Sequence, residues 1–407
     1  MGYTHFADAL QSGSVVAMSN EEWAKVNSIC RDSSISEMSA RLSSIFGDMA
    51  IIPFFSEDLS VAANCNSFRH GNDRLFLESV DLANSKIKFY ESYAQESGTF
   101  PYFTRASIGK EKIFQECNEL GVHDVFVKPS VGSGSEGVYK ASVSFDESLG
   151  TALELSLKYA PSLESVIVME YLPPQGLLSE VALNFVVISG RVEFLSIHRK
   201  AVQTLEPPFQ DLRRASTTPS DEDALRLREV ASVIQRALKL RNGVVQAELR
   251  RTSSGQFVPI DVSLRPDGGL VPESIYAMRD VDLRMVHTLL QLNEVPSARA
   301  LVNAASVRKS CETALGAFHY QSIGPETLEM LRHIFHGERN NMPDIVSGLY
   351  ALEGSLMPLA TNELKIGLCT KGETVDDAMA TLEAVAASIA LGGADPGDLT
   401  SREQTLL

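Results

Sequence analysis

Lys128 closes the short run Val125, Phe126, Val127, and a loop containing Gly132, Ser133, Gly134, Ser135 and Gly137 follows it before a β-rich run resumes at Val138. A lysine beside a loop whose glycines let backbone N–H groups come close is equipped to hold an anion, a triphosphate above all. Two familiar phosphate motifs do not fit. The glycines spell G-x-G-x-x-G, but that dinucleotide fingerprint has to open a helix, and Val138–Val143 reads as a strand. A Walker A loop needs Lys and Ser/Thr where this chain has Val138 and Tyr139. A tight hairpin turn without a ligand is the competing reading of the loop by itself.

A second group of residues lies more than a hundred positions on. Glu248 and Asp261 fall on two successive strand-like runs, with Ser263 and Arg265 alternating after Asp261. Strand residues two apart share a face, so Asp261, Ser263 and Arg265 project together and Glu248 joins them from the neighbouring strand. Two carboxylates with a hydroxyl beside them suit Mg²⁺, a hard cation that takes oxygen ligands and bridges phosphates. The planar fork of Arg265 suits a phosphate or a carboxylate. Asp267-Gly268-Gly269 supplies a turn. The plainer reading is a surface hairpin with solvated charges.

These residues need elements to carry them. A helix over Leu82–Ala94 brings Lys86 and Lys88, and a helix over Ser107–Leu120 starts on a Ser107 cap. Strands are expected at Met49–Phe55, Val166–Glu170, Val181–Ile188 and Arg191–Ile197, the last two joined at Ser189-Gly190. Leu205–Ser220 lacks periodicity and reads as a loop, and Asp221–Leu240 as an amphipathic helix. Val244–Leu249 and Phe257–Leu264 pair as strands. Helices are expected at Glu21–Ile29 and Val375–Leu391, with strands between Val346 and Leu368.

With 407 residues the chain can bury two or three cores. Its formal charge of −16 disfavours a nucleic-acid or anionic-membrane binder, though not a local basic pocket. No apolar run is long enough to span a membrane, and the five cysteines show no metal or disulfide spacing, which points to a cytoplasmic protein with reduced thiols. The histidines show no metal spacing either.

Together, Lys86, Lys128, the Gly132–Gly137 loop, Glu170, Glu180, Glu248, Asp261 and Arg265 resemble the ATP-grasp superfamily in order and approximate spacing, over roughly residues 86 to 295. The resemblance implies an α/β (α+β) chain with the ATP-grasp fold. Its divisions are an N-terminal α/β domain at 1–85, a central lid-like subdomain at 86–175, a C-terminal ATP-binding subdomain at 176–300 and a mixed α/β extension at 301–407. By the same resemblance Lys86 and Lys128 look like the two phosphate-binding lysines, and Gly132, Ser133, Gly134, Ser135 and Gly137 like the lid over the phosphates. Glu170, Tyr171 and Leu172 look like the adenine hinge, and Glu180 like the ribose-binding acid. Glu248 and Asp261, with Ser263, look like the Mg²⁺ ligands. Arg265 resembles the arginine that steadies the transferred phosphate, and Lys200, in the basic cluster His198-Arg199-Lys200, the residue that meets the γ-phosphate.

The family's Glu-x-Asn-x-Arg reads Asp261-x-Ser263-x-Arg265 here. The shorter side chains make one Mg²⁺ the expectation ahead of two. The implied cofactors are ATP and Mg²⁺, and the implied partners a small-molecule carboxylate and amine, with no nucleic acid and no membrane. The sequence leaves the assembly open, a homodimer included. The reaction implied is ADP-forming activation of a carboxylate as an acyl phosphate and its coupling to an amine, on amino acids or small peptides. A thiol or phosphate acceptor, or a nucleotide sensor without turnover, are the alternatives.

Overall fold

The computed structural model describes residues 74–132, 135–144, 146–176, 178–200, 213–268, 270–304, 311–320, 345–348 and 364–390. The expected helix at Glu21–Ile29 and strand at Met49–Phe55 lie outside the described residues, as do Ser133, Gly134 and Gly269.

The described chain opens with two helices, α1 (Arg74–Asn84) and α2 (Lys86–Ser97), where the sequence suggested one helix over Leu82–Ala94. The break has a tertiary cause. Ser85 is extended (φ −115°, ψ 105°), and the Lys86 N–H donates to the Ser130 carbonyl at 2.9 Å, at the foot of the glycine loop. Next come β1 (Phe103–Arg105), a 3₁₀ turn at Ala106–Ile108 and α3 (Lys110–Leu120). The turn displaces the expected Ser107 cap, and Gly109, at φ 94°, precedes α3 instead. Then follow β2 (Asp124–Pro129), β3 (Tyr139–Ser142), α4 (Asp146–Leu157) and β4 (Val166–Glu170). The four strands form an antiparallel sheet in the order β1-β4-β2-β3. Val125, Val127, Val166 and Val168 pack with Ile113, Cys117 and Leu149 into its own core.

A larger sheet carries the rest. The elements are β5 (Glu180–Ile188), β6 (Arg191–Lys200), β7 (Arg213–Ser216), α5 (Asp221–Ala237), β8 (Gly243–Arg251), β9 (Phe257–Ser263), α6 (Val271–Arg279), α7 (Leu283–Gln291), α8 (Val295–Asn303), β10 (Glu312–Tyr320), β11 (Ile345–Gly348), β12 (Leu364–Gly372) and α9 (Val375–Ala390). Its eight strands run in the order β11-β12-β10-β7-β6-β5-β8-β9, antiparallel throughout. β7 corrects the expectation of a loop across Leu205–Ser220: Arg213–Ser216 pairs with β6 on one side and β10 on the other. Pairing on both edges makes a strand of a segment with little strand propensity of its own.

β5 is buried along its whole length because each face meets a different layer. Val181, Leu183, Phe185 and Val187 pack against Phe89 and Tyr90 of α2 and Leu227 and Ile234 of α5. On the other face Val186 and Ile188 lie under Val271 and Ile275 of α6 and Val286 of α7. Glu180, Ala182 and Asn184 share that second face by the strand's two-residue period and extend past the apolar cover. Polar groups therefore occupy one end of the sheet. No helix among the described residues is long and apolar enough to cross a membrane.

Candidate active site between the two sheets

Two lysines, Lys128 of the small sheet and Lys86 of α2, reach the acidic strands of the large sheet. The break at Ser85 puts Lys86 in the first turn of α2, where Nζ donates to the Gly132 carbonyl at 3.0 Å and pairs with Asp261 Oδ1 at 3.1 Å. Lys128, near the end of β2, is buried at 7 % exposure. Its Nζ donates to Tyr90 Oη at 2.8 Å and to the Ile260 carbonyl at 3.1 Å, and Tyr90 Oη donates to that same carbonyl at 2.6 Å. Burial, then the charge of Lys86, lowers the Lys128 ammonium to about 7, although Asp261 and Glu248 pull it upward. Burial, then Asp261 and Glu248, pushes the Tyr90 phenol well above its usual range.

The Ile260 carbonyl is available because of a bulge. Glu248 pairs with Asp261 but Leu249 with Pro259, so Ile260 has no opposite number on β8 and its backbone leaves the ladder. Glu248 and Asp261 are the last directly opposed pair before the bulge, side by side on one face. Tyr90 is a positioning group that the sequence reading missed, although its place four residues after Lys86 puts both on one face of α2. Tyr90→Phe is expected to weaken nucleotide binding about 3- to 10-fold, the cost of one hydrogen bond. Titration with ATP checks it, and unchanged affinity would remove Tyr90 from this role.

Across the large sheet the register aligns charged residues in rows. Arg214 of β7, Lys200 of β6, Glu180 of β5 and Arg250 of β8 form one row. Ser216, His198, Ala182, Glu248 and Asp261 form the next. Lys200 Nζ lies 3.0 Å from Glu180 Oε1 and 2.7 Å from Glu248 Oε1. Arg250 pairs with Glu180 Oε2, and its Nη1 donates to the Leu172 carbonyl at 2.9 Å. Arg214 reaches Glu248 at 3.7 Å and Asp267 at 2.5 Å. Burial alone would raise the Glu248 carboxyl, but Lys200, then Arg214 and Lys86, overcome it and hold the group at about 2.

The remaining sequence-predicted residues fall around this centre. Ser263 is buried opposite Gln246, two positions from Asp261 on the same face. Arg265 is half-buried, and its Nη1 donates to the neighbouring Pro266 carbonyl at 2.8 Å. Its buried Nε has no hydrogen-bond partner, and no carboxylate among the described residues pairs with it. Gly132 and Gly137 have positive φ (150° and 72°), and Ser135 is left-handed at 60°. A Cβ on Gly137 would stand 2.9 Å from Pro129 Cγ and Tyr159 Cβ, so the loop's far end is clamped to the small lobe.

Between the lobes, the Glu170 N–H donates to the Tyr102 carbonyl at 2.8 Å and the Tyr171 N–H to that of Asp124 at 2.9 Å. The Tyr171 ring meets Phe126 edge-on at 5.2 Å and carries Lys140 Nζ 4.1 Å from its centroid. Leu172 and Glu180 are tied together through Arg250. Thus Lys86, Lys128, Glu248, Asp261, Lys200 and Glu180 form one connected cluster, the glycine loop joins it through Gly132, and the hinge joins it through Arg250. Arg214 and Asp267 complete it. Nothing in the Pro-, Arg- and Ser-rich run around Arg214 marked that residue.

The donor set suits a divalent cation. Glu248 is held ionised, Asp261 faces it, and a lysine ammonium rests on each carboxylate. No group of three or more His, Cys, Asp or Glu assembles among the described residues, so two carboxylates would share a cation with phosphate oxygens and water, as Mg²⁺ usually accepts.

Residues 122–272 match the family model described as an ATP-grasp domain. No curated protein matches the chain by sequence. Among solved structures, the L-amino acid ligase of Bacillus licheniformis is similar with a TM-score of 0.64 at 14 % identity, over 88 % of this chain and 82 % of its own. The phosphoribosylglycinamide synthetase of Anaerococcus prevotii gives 0.60 at 13 % identity, over 87 % and 85 %. The biotin carboxylase of Campylobacter jejuni gives 0.58 at 13 %, over 87 % and 77 %. The stretch from 122 to 272 is an ATP-grasp domain, and the chain around it has the ATP-grasp fold.

Proposed function

We propose that the protein is an ADP-forming ligase that uses ATP and Mg²⁺ to activate a carboxylate as an acyl phosphate and joins it to an amine. One observation carries the reading: Lys128 of the small sheet and Lys86 of α2 converge on the Asp261 and Glu248 pair of the large sheet, with Lys86 Nζ 3.1 Å from Asp261 Oδ1. The similarity to an L-amino acid ligase and other ATP-grasp ligases supports it.

In this reading Lys86, Lys128 and the N–H groups of the Gly132–Gly137 loop hold the triphosphate, and the Glu170–Leu172 connection meets the base. Glu248 and Asp261, assisted by the Ser263 hydroxyl, would hold Mg²⁺, which neutralises phosphate charge as it develops. A carboxylate oxygen attacks the γ-phosphorus, the bond to the β–γ bridging oxygen breaks, and ADP leaves with that electron pair. An amine nitrogen then attacks the acyl carbon, phosphate departs, and the amine loses a proton. Arg265, with an unpartnered Nε, and Lys200 would steady the transferred group. Such a site works by positioning and charge neutralisation and needs no Ser or Cys nucleophile.

The test is phosphate release from ATP with paired carboxylates and amines, followed by mass spectrometry. The expected product has the mass of acid plus amine less water. Phosphate release that requires a thiol instead of an amine, or no release with any pair, would overturn the reading.

A further inference from the structure

Beside the proposed reaction centre, the large sheet carries a second set of groups that the chemistry above leaves unused. Asn184 is fully buried, and its Nδ2 donates to Asp267 Oδ2 at 3.4 Å. A carboxylate only accepts, so the amide oxygen points elsewhere, and Asn184 Oδ1 is buried without a hydrogen-bond partner. His198 is also fully buried, one strand away and diagonal to Asn184 on the same face.

The tautomer of His198 follows from its neighbours. Its Nε2 lies 2.7 Å from Ser274 Oγ, which lies 2.5 Å from Thr313 Oγ1, which donates to Met278 Sδ at 3.6 Å. We assign the direction of this relay from its sulfur end: with the Thr313 proton on Met278 Sδ, Ser274 donates to Thr313 and the His198 Nε2–H donates to Ser274. Nδ1 is therefore a lone pair, and it too is buried without a partner. Burial holds the ring neutral, lowering it to about 4, with Asp267 acting upward and Arg214 downward.

A buried acceptor without a donor is costly, and two near one carboxylate need a common cause. Asp267 itself already accepts from Arg214, Asn184 and the Gly268 N–H, so the two orphaned acceptors are Asn184 Oδ1 and His198 Nδ1, and what both lack is an N–H donor. We propose that Asn184, His198 and Asp267 form a subsite for a protonated amine, and that the carboxylate substrate carries that amine, as an α-amino acid does. This rests on the ligase reading and names the substrate class of the same site.

Charge supports the zwitterion. The surrounding side chains already pair off: Asp267 and Glu248 with Arg214, Glu180 and Glu248 with Lys200, and Glu180 with Arg250. A ligand with one charge of each sign enters such a balanced interior without leaving a bare charge. Reactivity assigns the amine to the acid-bearing substrate. An ammonium held against a carboxylate has no lone pair, so it cannot be the attacking nitrogen. The second substrate's amine has to arrive deprotonated from elsewhere.

The experiment measures binding to the full-length protein loaded with a non-hydrolysable ATP analogue and Mg²⁺. The twenty common L-amino acids are each titrated beside the matching acid that lacks the α-amino group. At least one amino acid is expected to bind 10-fold or more tightly than its matching acid. Asp267→Asn and the milder Asn184→Ser are each expected to shrink that ratio at least 5-fold, with analogue affinity and melting temperature retained in Asn184→Ser. Equal binding of every pair, or an unchanged ratio in a folded Asn184→Ser variant, would overturn the subsite and leave the orphaned atoms to an internal water. Selective amino-acid binding without phosphate release would uphold the subsite and overturn the ligase reading instead.

Discussion

Lys128→Met is expected to lower ATP turnover by about 100-fold or more, since removing one preorganised cation or donor from developing charge costs that much. Methionine keeps the length of the stem, so β2 and its neighbours should stay folded. Lys128 Nζ already sits on Tyr90 Oη and the Ile260 carbonyl, which hold it in place before any ligand arrives. The same contacts predict a pH effect. With its ammonium lowered to about 7, Lys128 is mostly neutral at pH 8 in the free protein. Triphosphate favours the charged form, so binding at pH 8 should take up a proton, and affinity should fall as pH rises above 7. Calorimetry in buffers of different ionisation enthalpy reads the uptake directly, and Lys128→Met should abolish it. Near-normal turnover in the variant would remove Lys128 from phosphate binding.

Glu248→Gln carries the second large effect. Glutamine keeps the shape but loses the charge that faces Asp261, so turnover should fall about 100-fold or more and half-activation should need far more Mg²⁺. An unchanged metal titration would remove Glu248 from the cation site. Stability should respond to pH as well. The folded carboxyl sits at about 2, below its ordinary 4.5, so it favours the ionised form. Its contribution is complete above about pH 4.5 and is lost as pH falls toward 2. Glu248→Gln should therefore flatten the acid limb of the stability curve in that window, as followed by chemical denaturation. Lys200, nearly inaccessible, keeps Glu180 as a partner, so the variant should fold.

Much of this arrangement was legible from local pattern. The strand–loop–strand around Lys128 and the alternation of Asp261, Ser263 and Arg265 are short-range signals, and a two-residue period fixes which side chains share a face. What escaped depends on distant partners. Helix α2 starts at Lys86 because Ser130 takes its N–H, and no residue within the helix says so. Arg214 sits on a strand made by its two neighbours. The bulge at Ile260 is a mismatch between two strands, which neither strand records by itself. Asn184 lies within an apolar run, where one polar residue looks incidental until its carboxylate partner, Asp267, is found.

β10 reaches back further than its sequence position suggests. Ser216 Oγ donates to Glu312 Oε2 at 2.7 Å, and the Thr313 hydroxyl meets Ser274, which in turn holds His198. A truncated chain ending at Asn303 would strip β7 of one neighbour, leave an open backbone edge ready to recruit other copies, and take the Thr313 hydroxyl from the Ser274 that holds the imidazole. Shortening the protein from that end would thus damage chemistry far upstream as well as solubility.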